Sequence, residues 1–314
     1  MRVFVAGGAG ALGARLLPEL LSAGHEVFAT TRSPQKADEI GHLGASGVVM
    51  DGLDQASVLA AVEEVRPEVI VHEMTALAEL KGQSDMRHFD SSFAMTNRLR
   101  SEGTDNLLAA ATRVGTRRFV VQSYCAWPYA RTGGPVKSED DPLDPDPPTE
   151  QRESLRAIEH LERAARDAPL EGLALRYGAF YGPGTSESIF GELARKRRLP
   201  VVGNGGGVWS FVHIDDAAAA TTIAVERGEP GVYNIVDDEP TRSAEWIPAL
   251  AAQVGAKPPR HVPRWLGRLA AGEVGVSMMC EIRGASNAKA KRELDWQPAH
   301  PTWRGVLGTV GSRA

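Results

Sequence analysis

The sequence predicts an α/β fold: a doubly wound parallel sheet with a smaller, mixed C-terminal portion. Three observations predict it. Short apolar runs alternate with stretches of helical periodicity through the first half of the chain. The first run opens directly into a glycine-rich turn, VFVAGGAGALG. The second half loses the alternation and carries Pro-rich connectors near 258–263. Unbroken apolar strands separated by helices imply a parallel sheet covered on both faces, and right-handed crossovers make it doubly wound.

The elements follow in order. RVFVA (2–6), HEVFATT (25–31), GVVM (47–50), EVIVH (68–72) and RFVVQS (118–123) read as strands. LGARLLPELLSAG, QASVLAAVEEV and RSEGTDNLLAAATRVG between them have helical periodicity. The acidic, Pro-rich stretch 133–149 reads as an ordered surface loop. QRESLRAIEHLE (151–162) follows it and sets Leu155, Ile158, Leu161 and Ala165 on one stripe, as a helix would. Two more strands, LALRY (173–177) and VYNIV (232–236), complete the sheet. RKRR (195–198) reads as a solvated helix face. The division expected is a nucleotide-binding part over 1–172 and a smaller substrate part over most of 173–314, with some later segments returning to the first.

Composition narrows the function. The chain has 314 residues, 42% hydrophobic and 24% charged, which fits a globular protein with a sizeable core. A formal net charge of −5 gives no footprint for nucleic acid or an anionic membrane. Cys125 and Cys280 are far apart, fit no metal-ligand spacing and read as free thiols; no metal is expected. The chain opens on a strand, with no run of 18 apolar residues, so a cytoplasmic protein is expected.

Gly7, Gly10 and Gly13 form G-x-x-G-x-x-G between a strand and a helix. Gly7 permits the tight turn, Gly10 lets the backbone approach a pyrophosphate, and Gly13 lets the helix pack closely. The N–H groups of Ala11 and Leu12 then face the anion, helped by the helix dipole. This is the Rossmann-type dinucleotide turn. Strand two ends in Thr30-Thr31-Arg32-Ser33, with Lys36 a turn later. No acid is present to hold a ribose 2′-hydroxyl, and Arg32 can fork onto a 2′-phosphate, so NADP(H) is expected over NAD(H). Asp51, before Gly52, is placed to accept from the adenine amino group or simply to form a turn.

The chain resembles the extended short-chain dehydrogenase/reductase family, including the NAD-dependent epimerase/dehydratase group, over nearly its whole length. GGAGALG, EGTDNLLAAA (102–111), LRYGAFYGPG (175–184), LPVVGNGGGVWSFVHIDDAAAA (199–220), VYNIVDDEPT (232–241) and NAKAKRELDWQP (287–298) carry the resemblance. It implies that Tyr177 and Phe180 pass beside the nicotinamide, that Gln122 touches the cofactor, and that Arg176 anchors buried loops. His213, Asp215 and Asp216 match a structural segment. The family also implies a homodimer built on the helix that carries the Leu155 stripe, with the helix near 96–113.

The chain departs from the family where the chemistry should be. Family members place a tyrosine, and a lysine four residues later, on the helix after strand five. The alignment puts Gln151 and Leu155 there, and no Tyr-x-x-x-Lys exists in the chain. After strand five the family usually shows paired hydroxyls; here Gln122-Ser123-Tyr124-Cys125 stands instead. Tyr124, Ser123 and Tyr129 are therefore the candidate catalytic hydroxyls, with packing as the alternative. Where nucleotide-sugar enzymes often carry an arginine, this chain has Trp209, read with Tyr181 as covering an apolar or aromatic substrate. The leading expectation is an NADP(H)-dependent oxidoreductase acting on a small carbonyl- or alcohol-type molecule without the usual pair. A non-redox epimerase, isomerase or lyase and a non-catalytic NADP(H) sensor are the alternatives.

Overall fold

The structure, a computed structural model, describes residues 1–77, 85–185 and 187–307, with the backbone alone at 187 and 188. The chain begins β1 (Arg2–Ala6), α1 (Gly13–Ser22), β2 (Glu26–Thr31), α2 (Pro34–His42), β3 (Ser46–Val49), α3 (Gln55–Val65) and β4 (Val69–His72). It continues through α4 (Phe89–Arg98), α5 (Thr104–Val114), β5 (Arg118–Tyr124), β6 (Val136–Lys137), α6 (Arg152–Asp167) and β7 (Glu171–Tyr177). Then come β8 (Ala179–Tyr181), α7 (Glu187–Arg195), β9 (Val201–Val202), β10 (Val208–Trp209), β11 (Phe211–His213), α8 (Ile214–Glu226) and β12 (Gly231–Ile235). The last elements are β13 (Thr241–Arg242), α9 (Ser243–Gln253), β14 (His261–Val262), α10 (Arg264–Cys280), β15 (Gly284–Ala285) and α11 (Ala288–Glu293).

The central sheet has seven strands in the order β12-β7-β5-β4-β1-β2-β3, and every neighbouring pair is parallel. The order reverses at β1, which is the doubly wound arrangement the sequence predicts. Because all strands run one way, their C-terminal ends share one edge. That edge carries the turn after β1 and the tips of β4, β5 and β7.

Both faces of the sheet are covered. Leu16, Leu17 and Leu20 of α1 pack with Ala217, Ala220 and Ala224 of α8 on one side. Val58 and Val62 of α3, Leu107 and Ala111 of α5, and Leu161 and Ala165 of α6 pack on the other. Local chemistry sets the helix ends. Asp54 accepts from the N–H groups of Ala56 and Ser57 to start α3, and Gly115 closes α5 in the left-handed conformation.

Three expectations change in detail. The helical stretch expected from Arg100 begins earlier, at Phe89, and joins α5 through a π-turn at Leu99–Gly103. The pattern hides this because a π-turn inserts one extra residue and breaks the 3.6 spacing. RKRR is exposed, but only Arg195 lies in α7, and Arg197 sits in a left-handed turn beyond it. Leu155, Ile158, Leu161 and Ala165 are all buried within the chain's own core, so this stripe no longer argues for a homodimer interface. Among the described residues no helix is long and apolar enough to cross a membrane.

Candidate functional site

The turn after β1 is shaped by backbone contacts that only glycine satisfies. Gly7 has φ +93°, and a Cβ there would lie 2.9 Å from the backbone of Glu73. A Cβ at Gly13 would stand 2.0 Å from the Gly8 carbonyl oxygen, so α1 packs on the turn itself. Gly10 is exposed, and its nearest neighbour in the Cβ direction is the Gly7 carbonyl oxygen at 3.4 Å. Gly7 N–H donates to Thr30 Oγ1 at 3.0 Å, tying the turn to β2. Among the described residues no hydrogen bond engages the N–H of Ala11 or Leu12, and α1 has no acidic residue in its first turn. Such a turn, with unpaired donors at a helix start, fits the pyrophosphate of a dinucleotide.

Beside it, β2 ends at Thr31, whose Oγ1 accepts from Ser33 N–H at 3.2 Å. Ser33 caps α2 by accepting from Lys36 N–H. Arg32 and Lys36 are exposed there. Asp51 is exposed and forms a turn, Oδ1 accepting from Leu53 N–H at 3.0 Å. Gly52 has a packing reason instead of a ligand-facing one: it is buried, and a Cβ would lie 2.4 Å from Met74 Sδ.

The strand tips hold a second group of residues. Ser123 and Tyr129 do not meet the expectation of open catalytic hydroxyls. Ser123 Oγ is buried and donates to Glu162 Oε1 at 2.5 Å. Arg176 grips the same carboxylate with Nε at 2.7 Å and Nη2 at 2.6 Å. Tyr129 OH accepts from Arg176 Nη1 at 2.9 Å and donates to Asn234 Oδ1 at 2.7 Å. Both hydroxyls thus belong to a closed network that satisfies a buried ion pair.

Tyr124 differs. It ends β5 in register with Tyr177 and is half-buried against the second core. Its hydroxyl has no hydrogen-bond partner among the described residues. Burial pushes its pKa well above the usual phenol value, so it stays protonated and is a donor rather than a base. Gln122, two residues before, is half-buried.

Tyr177 is fully buried; its OH shares a 2.6 Å hydrogen bond with Thr221 Oγ1 and donates to Glu73 Oε1 at 3.4 Å. Its ring tilts against Phe180, 5.3 Å between centroids, and Phe180 keeps partial exposure. Tyr177 therefore backs Phe180, with its hydroxyl already engaged inside the fold. Sequence reasoning missed Glu73. Burial raises its carboxyl to about 8, and Oε2 has no partner. The signal was an acid directly after VIVH, a strand buried at every residue.

Trp209 and Tyr181, expected to cover a substrate, are instead buried in the core. Trp209 Nε1 donates to Ser243 Oγ at 3.1 Å and Met278 O at 3.2 Å, and its ring packs among Phe190, Phe211 and Trp246. Tyr181 is fully buried, and its OH donates to the carbonyls of His300 and Thr302. Both are core of the C-terminal half, where large rings fill the space between short strands. Asp216 accepts from Ala299 N–H and His300 N–H, and His213 caps α8, so these match a structural segment.

Gln151 and Leu155 open α6 as buried residues, with Gln151 Nε2 unpartnered among the described residues. Arg100, on the π-turn packed along α6, was not singled out from the sequence. It is 7% exposed, and burial lowers it to about 10, so it remains charged at neutral pH. The turn is held by His72, which accepts from Met74 N–H at Nδ1 and therefore donates from Nε2 to Leu99 O at 3.2 Å. Burial keeps His72 neutral, pushing its pKa down to about 4.

Relatives share this architecture. The NAD dependent epimerase/dehydratase family matches residues 3–236. A 3-diazoavenalumate denitrifying reductase of a Streptomyces species is 42% identical over 98% of this chain and 99% of that protein. A 2-alkyl-3-oxoalkanoate reductase of Stenotrophomonas maltophilia is 32% identical over 82% of this chain and 76% of that protein. Among solved structures, Thermus thermophilus UDP-glucose 4-epimerase in complex with NAD superposes with a TM-score of 0.73 at 24% identity, covering 98% of this chain and 97% of that one. The human epimerase family protein SDR39U1 with NADPH gives 0.74 at 20% identity, covering 100% of both. The two solved structures share the parallel sheet, one holding NAD and the other NADPH, and a nicotinamide cofactor is accordingly supported for this chain. The chain is an enzyme and belongs to the NAD-dependent epimerase/dehydratase family.

Proposed function

We propose that the protein is an NADP(H)-dependent reductase that delivers hydride to a small carbonyl-type substrate and protonates it without a Tyr-x-x-x-Lys pair. The observation that carries this reading is the Tyr124 hydroxyl. Of the three candidate hydroxyls near the tip of β5, it alone has no partner among the described residues. The nicotinamide supplies the hydride when bound. The turn at Gly7–Gly13 binds the pyrophosphate, and Arg32 with Lys36 favours a 2′-phosphate on the ribose. Phe180, backed by Tyr177, gives the nicotinamide a wall. As hydride reaches the carbonyl carbon, the oxygen gains negative charge; Tyr124 donates its proton there and recovers one from solvent. The elevated pKa of Tyr124 suits donation, because the phenol is fully protonated at neutral pH. Two relatives carry reductase names, which supports reduction over a non-redox reaction.

The test is NADPH oxidation with a panel of aromatic and aliphatic carbonyls, with product and oxidised cofactor measured together. One NADP⁺ formed per product is expected. Product formed with no net change in cofactor would replace this reading with an epimerase or lyase, and tight NADPH binding with no conversion would replace it with a sensor.

A further inference from the structure

Arg100 poses a physical problem. Its side chain is buried, with 7% of its surface exposed, yet no hydrogen bond or ion pair meets its guanidinium among the described residues, and its Nε is fully enclosed without a partner. A buried charge without a counter-charge is costly and persists where something else uses it. The Glu162 carboxylate on α6, against which the turn packs, is already taken by Arg176 and Ser123. His72, which holds Leu99 O, ends β4 beside Val121 of β5, so the turn that carries Arg100 sits against the strand tips where Tyr124 ends β5. The backbone around Arg100 is held firmly. Leu99 O accepts from His72, and Arg100 O accepts from Thr104 Oγ1 at 2.6 Å. A π-turn fixed in this way aims one side chain out of the regular helical register, and such turns recur at functional sites.

We propose that Arg100 is the anion-binding group of the substrate site, and that the substrate is an organic carboxylate held by Arg100 while Tyr124 addresses its reducible centre. The proposal rests on the reductase reading for the role of Tyr124, but the carboxylate site stands on Arg100 alone. The guanidinium donates a forked pair of hydrogen bonds that matches a carboxylate in shape as well as charge. The Arg32 region, at the end of β2, serves the cofactor, so the two cations divide the two anions between them. Both reductases named above act on molecules whose names denote carboxylates.

The experiment uses the full chain saturated with NADP⁺ and calorimetric binding of two matched pairs of probes: cinnamate with cinnamamide, and octanoate with octanamide. Wild type should bind at least one acid about tenfold or more tightly than its amide, the scale of a charge-assisted fork. Arg100→Met should erase that preference and leave amide binding and the NADP⁺ dissociation constant within about twofold. Arg100→Lys, which keeps the charge and loses the fork, should retain part of the preference. Without probes, Arg100→Met should melt at or above the wild-type temperature, since an unpaired buried charge has been removed. Acid and amide bound equally by wild type, or an acid preference that survives in Arg100→Met, would overturn the proposal. So would a lower melting temperature with acid and amide binding lost alike, which marks a structural strut. An Arg100-dependent acid preference in a protein that oxidises no NADPH would sink the reductase reading and leave this site standing.

Discussion

The turn after β1 and the tips of β5 and β7 lie on the same edge of the sheet, yet they work in opposite ways. The turn acts through its backbone: Gly7, Gly10 and Gly13 set a shape and leave donors open. The strand tips act through side chains, and most of those are already engaged. Ser123, Glu162, Arg176, Tyr129 and Asn234 form one closed chain of hydrogen bonds, which leaves Tyr124 as the open phenol beside it. A backbone site is declared by residues a few positions apart. A side-chain site is declared by partners distant in sequence: Ser123 finds Glu162 39 residues away, and Tyr129 finds Asn234 105 residues away.

The largest effect expected on either side comes from Gly13→Val. Its branched side chain would meet the Gly8 carbonyl, where even a Cβ stands at 2.0 Å, so α1 must move off the turn. Loss of measurable dinucleotide binding, with most protein misfolded, is expected by fluorescence titration and circular dichroism. Unaltered binding would show that the turn is not the cofactor's cradle. On the other side, Glu162→Ala leaves Arg176 buried without its counter-ion. About 3–5 kcal/mol of stability should disappear in urea unfolding, as for other broken buried pairs. A change below about 1 kcal/mol would mean that the network is not what holds the strand tips.

Between the two lies Glu73, next to Gly7 in space and bonded to Tyr177. Its carboxyl is raised from 4.5 to about 8 in the fold. The unfolded chain therefore releases this proton first, and the group's contribution, full below about 4.5, is lost as pH rises to about 8. Glu73→Gln mimics the neutral form and removes that loss. Relative to wild type, the variant should gain a few kcal/mol on going from pH 5 to pH 8, while Asp237 and His72, which titrate in both proteins, cancel in the difference. A difference independent of pH would show that Glu73 is ionised in the fold.

A smaller effect sharpens the cofactor side. Arg32→Ala should cut the preference for NADPH over NADH by about ten- to a hundredfold, corresponding to ~1.5–3 kcal/mol for a charge-assisted contact. An unchanged ratio of dissociation constants would remove Arg32 from 2′-phosphate recognition.

The contrast also explains what could be read from the sequence. The sheet was legible because its central strands β1, β4, β5 and β7 are buried along nearly their whole length and carry apolar runs, while the edge strand β3 is mostly exposed and was marked only by its short GVVM run. The turn was legible because glycine at a φ of +93° or 2 Å from a carbonyl has no substitute. Trp209 and Tyr181 misled because a large ring looks alike in a core and in a binding site; only the contacts of Trp209 with Ser243, Met278 and Trp246 decide. Arg100 went unseen because it lies on a helical stretch whose π-turn breaks the periodicity, and nothing local distinguishes an unpaired arginine from a solvated one.

The central claim is that chemistry moved from α6 to the tip of β5. The most direct measurement is the rate of NADPH oxidation, on one responsive carbonyl, for Tyr124→Phe and Gln151→Ala beside wild type, with NADPH affinity measured in each. Tyr124→Phe should lose at least about tenfold in kcat/KM with NADPH affinity nearly constant, since a proton donor contributes ~10²–10⁴-fold at most and ordinary hydrogen bonding less. Gln151→Ala should stay within a few-fold of wild type. A large loss from Gln151→Ala with none from Tyr124→Phe would contradict the account and return the active centre to α6.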